Sequence, residues 1–311
     1  MTLTFGTGAR PHGTGTSART RTRRRERLAA FGMVGPAVVL LLCFFVIPVV
    51  LAFGLAFTSA RLVSPTPAHF VGLRNFRLLF DDPVFTRSLV NTLVFAAVVV
   101  PVQAGFGLVL ALLVNTKVKG TNFFRTVYFV PVVTSMVVVS IVWMFLYQKT
   151  GLVNRLIDGL TLGLVHGPDW LNDPATSLPA VIFMSVWQGV GFHMVIWLSG
   201  LQTIPADLHE AAAIDGADRW GRFRHVTWPG LRATRAFVLI TITIDAFRLF
   251  TQINVMTQGG PLDSTTTVVY QAVRTGYEQQ QTAYASAISL VFFVIVLAVS
   301  LVQRFLTREK N

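Results

Sequence analysis

TIPADLHEAAAIDGADRWGRFRHVTWPGLRATR, residues 203–235, separates two long apolar runs and is more elaborate than a simple connection requires. Pro205 suits a first helical turn, and Asp207 places negative charge where the helix dipole favours it. Glu210, Ala211, Ala212 and Ala213 are strong helix formers, and Gly216 can take the left-handed conformation that ends a helix. Asp218 can cap a second helix, along which Trp220, Phe223 and His225 run until Pro229 stops it. The small alanine face permits close approach by another protein, with Trp220 and Phe223 as anchors. The same pattern also fits an amphipathic helix resting on lipid headgroups.

The runs on either side set the surroundings of this loop. Crossing ~30 Å of hydrocarbon takes ~20 mostly apolar residues in a helix. Five uncharged runs meet that length: 28–60, 88–116, 126–148, 174–205 and 279–303. A sixth, 236–261, is apolar except for Asp245 and Arg248. Backbone groups in lipid must be satisfied within the segment, so these runs read as helices and the chain as an all-α membrane protein with six transmembrane helices. Composition agrees: 53% of the residues are hydrophobic and 13% charged, against about 25% charged in an ordinary soluble domain. Mean hydropathy is +0.60.

A net charge of +12 could signal a nucleic-acid binder, but the basic residues sit between apolar runs instead of forming one patch, so no nucleic-acid partner is expected. They report topology. With the N-terminus in the cytoplasm, eighteen of the 26 Lys and Arg residues fall on the cytoplasmic side and seven on the other, with Arg248 inside a span. Both termini are therefore expected inside. Residues 1–27 read as a disordered basic tail, 28–306 as the six-span domain and 307–311 as a short cytoplasmic end. The first run exceeds the ~7–15 residues of a signal-peptide core and is expected to be a retained helix. On the outer side, 70–80 and 151–160 group apolar residues at helical spacing, as in short helices lying at the membrane surface.

In its spacing and its place between the fourth and fifth spans, 203–235 resembles the EAA loop of ABC importer permeases. Glu210-Ala211-Ala212 is followed after three residues by Gly216, and after nine more by Val226-Thr227-Trp228-Pro229, with Trp228 where the family has Leu. The resemblance extends to FVGLRNFRLLFDDPVF before the second span, FFRTVYFVPVV at 123–133 and LFTQINVMTQGGPLDSTTT at 249–267, which are similar to carbohydrate permeases of the maltose-transporter type. It implies the type I ABC importer permease fold in a bacterial inner membrane. It also implies a second homologous permease, two ATPase subunits that use ATP and Mg, and an extracytoplasmic binding protein that delivers a sugar or polyol. Glu210, Ala211, Ala212, Gly216, Trp220 and Pro229 would then belong to the surface that docks on an ATPase.

Several polar residues are candidates for the substrate path. Thr241, Asp245, Arg248 and Gln252 step by four, three and four, which puts them on one helical stripe. Asp245 lies ~15 Å into its span at 1.5 Å per residue. A charge there costs a few kcal/mol, so it faces a cavity or a partner. The stripe could meet sugar hydroxyls, or Asp245 and Arg248 could pair and lock the helix to its neighbour. Gln188 and His193 face the same alternatives, with His193 expected as an interhelical hydrogen-bonder. Asn91, Gln103, Tyr284 and Ser289 are weaker path candidates, and Trp187 and Trp197 could stack on a sugar or simply pack.

The chain has no GxxxxGK[ST] loop, no metal-ligand spacing and no nucleophile–base pair. No catalysis, metal or bound cofactor is expected of it. Its only cysteine, Cys43, lies in the first run, so no internal disulfide can form. The competing reading is a stand-alone proton-coupled carrier using Asp245, in which 203–235 would have no evident purpose.

Overall fold

The computed structural model describes residues 32–63, 67–115 and 121–307. The expected tail 1–27, nearly all of 307–311, and Lys117 and Lys119 lie outside them. The described residues are helical apart from turns and a single isolated bridge between Thr58 and Phe70. Among the described residues five helical runs, Arg232–Met256 counted as one, are long and apolar enough to cross a membrane, and the run at 126–148 is split in two.

Helix α1 (Gly32–Leu55) forms a unit nearly by itself, with no buried residue recorded along its length. It contains a π turn at Leu42–Val46, two residues ahead of Pro48. A proline cannot donate to the carbonyl four residues back. The wider turn, closed by the Ile47 N–H on the Leu42 carbonyl, carries the helix past that defect.

The remaining unit is built around α3 (Pro83–Val114) and α7 (Ser177–Gln202), its most extensive helix pair. Asp82 caps α3 by accepting a 2.8 Å bond from the Val84 N–H. The two helices approach closely because small residues face each other. A Cβ on Gly107 would meet His193, Met194 and Trp197 at 3.3 Å. Trp197, fully buried, donates from Nε1 to the Ala104 carbonyl at 3.0 Å. Its place is in the core and not against a sugar. The helix α10 (Arg232–Phe247) packs on both, with Val238 and Ile242 completely buried.

The third run does not form one straight span. Helix α4 (Thr121–Val133) and α5 (Met136–Leu146) meet at 99° across Thr134–Ser135. Pro131 weakens the helix just before the corner, and α4 is pressed so closely on α7 that a Cβ at Gly191 would strike the Tyr128 carbonyl. The fifth run also breaks: α10 ends at Phe247, and α11 (Thr251–Met256) starts after a three-residue interruption. The Thr267 hydroxyl donates to the carbonyl of Leu249 inside that interruption at 2.8 Å. This satisfies a backbone group that the broken helix leaves open. α11 then packs against α5, so the two breaks lie on the same side of α7.

The short helices α2 (Arg74–Asp81) and α6 (Leu152–Leu160) form as expected, but each one buries an asparagine, Asn75 together with Leu79 in α2 and Asn154 in α6. Asn75 donates to the Ala56 and Thr58 carbonyls, and Asn154 to those of Lys149 and Pro168 while accepting from Trp170 Nε1. Leu79 is buried beside Asn75, whereas Leu73, Phe80, Leu152, Leu156 and Leu160 remain exposed. Most large apolar side chains of the two helices thus stay outward, while Asn75 and Leu79 fasten α2 and Asn154 fastens α6. The last elements are α12 (Val268–Val273) and α13 (Thr282–Thr307).

Candidate functional site: a cavity at two helix breaks, and an exposed loop

A cavity of about 410 Å³ opens where the two broken spans face α3 and α7. Met136 lies beyond the first break, and Arg248, Leu249 and Thr251 lie at the second; all four line it. Gln103 comes from α3, Ser185, Gln188 and His193 from α7, and Asp245 and Gln252 from either side of the second break. Irregular backbone at membrane depth is tolerated where it lines a cavity, and this arrangement obeys that rule. Five of the six path residues expected from sequence therefore converge: Gln188, His193, Asp245, Arg248 and Gln252.

Thr241 does not join them. Its hydroxyl bonds back to the Phe237 and Val238 carbonyls of its own helix. The pairing of Asp245 with Arg248 is not formed either: among the described residues no ion pair joins them. The helix ends between the two, and both side chains are exposed to the cavity. Gln103, a weaker candidate, belongs to the site, and its Nε2 donates to the Ser185 carbonyl at 3.2 Å. Asn91, Tyr284 and Ser289 serve structure instead, through bonds to the Asp263 and Thr266 carbonyls, to Asp82 and to the Ala285 carbonyl. Trp187 sits edge-on to Trp143.

His193 corrects a further expectation, since its hydrogen bond is made within α7 and not between helices. Nδ1 donates to the Gly189 carbonyl at 2.9 Å. In the neutral ring this leaves Nε2 as an acceptor. That atom is buried without a partner, as is Ser185 Oγ, and both residues line the cavity. Buried polar atoms ordinarily find partners.

The loop of 203–235 has the opposite character. Helix α8 (Ala206–Ile214) buries none of its residues, and Ile214 is 86% exposed. Pro205 precedes it as the cap residue, one position earlier than expected, and Asp207 lies in its first turn. Gly216 takes a φ of +80°, as its place at the helix end required. Asp218 caps the next helix, α9 (Arg219–Arg222), by accepting from the Gly221 N–H at 2.7 Å. Pro229 does not stop this helix. A π turn at Phe223–Thr227, closed by the Trp228 N–H on the Phe223 carbonyl, absorbs the proline, and helix continues through Trp228–Gly230. The solution is the one α1 uses at Pro48. Trp220 stacks on Phe223 at 5.5 Å yet stays 66% exposed, and the Arg235 guanidinium lies 4.6 Å from the Trp228 ring centre.

The family described as binding-protein-dependent transport system inner membrane component matches residues 103–310, more than half of the chain. The chain belongs to this family. The permease is 32% identical over 301 residues to the lactose transport system permease protein LacF of Rhizobium radiobacter, covering 95% of this chain and 99% of the relative. It is 33% identical over 279 residues to the trehalose/maltose transport system permease protein MalF of Thermococcus litoralis, covering 89% and 93%. Its fold is that of a bacterial ABC transporter involved in import of the acidic polysaccharide alginate, with a TM-score of 0.81 at 23% identity over 94% of this chain and 99% of that one. Membership selects the importer over the proton-coupled carrier. The permease is a multi-pass inner-membrane component of a binding-protein-dependent transport system.

Proposed function

We propose that this permease, paired with a second homologous permease and two ATPase subunits, forms the path by which a sugar or related polyol delivered by an extracytoplasmic binding protein enters the cell. The observation that carries this reading is the cavity at the two helix breaks, lined by Gln103, Ser185, Gln188, His193, Asp245, Arg248 and Gln252. A sugar presents hydroxyls that both donate and accept, which suits such a lining better than an apolar or singly charged solute would. The lactose and trehalose/maltose permeases named above support the substrate class.

In this reading both termini are cytoplasmic, and 203–235 is the coupling segment. Glu210, Ala211, Ala212, Gly216 and Trp220 contribute the surface on which an ATPase docks, while Pro229 shapes its far end. ATP and Mg are used by that partner and not by this chain, which binds no cofactor. Closure of the ATPases displaces α8, and the bundle changes the side on which its cavity opens. Such coupling requires that the ATPase bind the two states with different affinity.

Co-purification of the tagged permease from its native membrane, wild type beside Glu210→Lys, tests the partner assignment. An ATPase and a second permease should accompany the wild type, and the ATPase should be lost from the variant while the permease pair survives. A wild-type chain that purifies alone would sink the assignment. Asp245→Asn tests the cavity. Loss of one charge-assisted contact predicts about tenfold weaker sugar dependence of uptake in an intact complex. Unchanged uptake at every sugar concentration would remove Asp245 from the path.

A further inference from the structure

A second, larger hollow lies at the other end of α3. It measures about 820 Å³, and its walls are mostly apolar: Leu108, Val109, Leu112 and Leu113 from the last turns of α3, and Phe223 and Trp220 from the loop, with His209 of α8 and Thr227 at its edge. Two arginines of α9, Arg219 and Arg222, stand at it. Among the described residues neither takes part in an ion pair, and Arg222 Nε is buried without a hydrogen-bond partner. Two guanidinium groups without carboxylates, next to an apolar wall, call for one ligand that is anionic at one end and apolar along its length.

Position narrows the choice. At 1.5 Å per residue the 32-residue α3 is about 48 Å long, more than the ~30 Å of hydrocarbon. Its apolar sequence stops at Val114, followed by Asn115, so the turn from Val109 to Leu113 reaches the headgroup level. We propose that this groove binds an anionic phospholipid, with an acyl chain along Val109, Leu112 and Leu113 and the phosphate against Arg219 and Arg222. Basic pockets at the ends of membrane helices hold acidic headgroups by such charge-assisted bonds. Because α9 follows α8 after four residues and His209 of α8 lines the groove, the lipid would brace the loop from the membrane side and leave the face of α8 opposite His209 free.

The test is the lipid retained by the full-length permease, with whatever subunits accompany it, after exchange into detergent containing equal phosphatidylglycerol and phosphatidylcholine. Native mass spectrometry should show preferential retention of phosphatidylglycerol. The preference should fall about tenfold in the Arg219→Gln, Arg222→Gln double variant. It should survive in Arg222→Lys, which keeps the charge. Val109→Trp, which fills the groove and spares both arginines, should also abolish it, so a double variant that fails to fold leaves the proposal open to refutation. Soluble glycerol phosphate should not compete, because it lacks the apolar part. Equal retention of both lipids, or an undiminished preference in the folded variants, overturns the proposal. So does a photo-crosslinker at Val109 that captures a protein subunit instead of lipid.

Discussion

The α3–α7 pair and the α8 loop, which follows α7 in the chain, are opposites in physics. Between α3 and α7 glycines bring backbones into contact, and Trp197 spends its only donor on Ala104. In α8 nothing is buried, and its end is set by the backbone conformation of Gly216 and the Asp218 cap that follows. The first region is complete within one chain. The second has local geometry without a packing partner, which is the expected condition of a surface that acquires its contacts from another subunit. Substitutions should accordingly separate the two, one set acting on stability and the other on association.

The largest effect on the fold is expected at Gly191. A side chain there collides with the Tyr128 carbonyl, a backbone atom that cannot swing aside. Overpacking of this kind costs about 3 kcal/mol. Gly191→Val should lower the thermal midpoint of the purified permease by several degrees and reduce the amount recovered folded. An unchanged midpoint would mean that α4 and α7 are not held together as described. Trp197→Phe should cost less, about 1.5 kcal/mol, from one lost hydrogen bond and a small void. The same melting assay reads it. Glu210→Lys, on the exposed loop, should leave the midpoint within about 0.5 kcal/mol of wild type.

How far the sequence carries the reader differs between these regions for identifiable reasons. The spans were legible because an uncharged run of sufficient length has few alternatives in lipid. Gly216 and Asp218 were legible because helix punctuation is local, and their spacing also carries the family pattern. Asp245, Arg248, Gln188 and His193 stood out because polar groups in a span need a reason to be there. The breaks were harder to see. Pro131 signals weakness near the first, but Pro101 lies inside an unbroken α3, so proline alone does not locate a corner. The second break is held by Thr267, eighteen residues away from the Leu249 carbonyl it binds. No periodicity reports such a tertiary bond. The π turns before Pro48 and Pro229 escaped notice for a related reason: sequence rules treat proline as a stop, while a one-residue widening of the helix lets it pass. Asn75 and Asn154 have no signal in the apolar spacing of 70–80 and 151–160, yet their buried amides hold the two short helices.

The smallest effect sharpens the comparison most. A Cβ at Gly216 would meet open space, so Gly216→Ala removes no contact and creates no clash. What it changes is the backbone, because an alanine at a φ of +80° costs about 1 kcal/mol relative to glycine. In α3 or α7 so small a strain would be overruled by surrounding packing. In the loop nothing opposes it, and the last turn of α8 can unwind to relieve it. The permease should therefore melt at its wild-type temperature while retaining roughly fivefold less ATPase on co-purification. Gly216→Asn, whose side chain tolerates the left-handed region, should retain more than the alanine variant. If alanine and asparagine behave alike, the conformation of Gly216 is not what presents α8, and the docking surface depends on side chains alone.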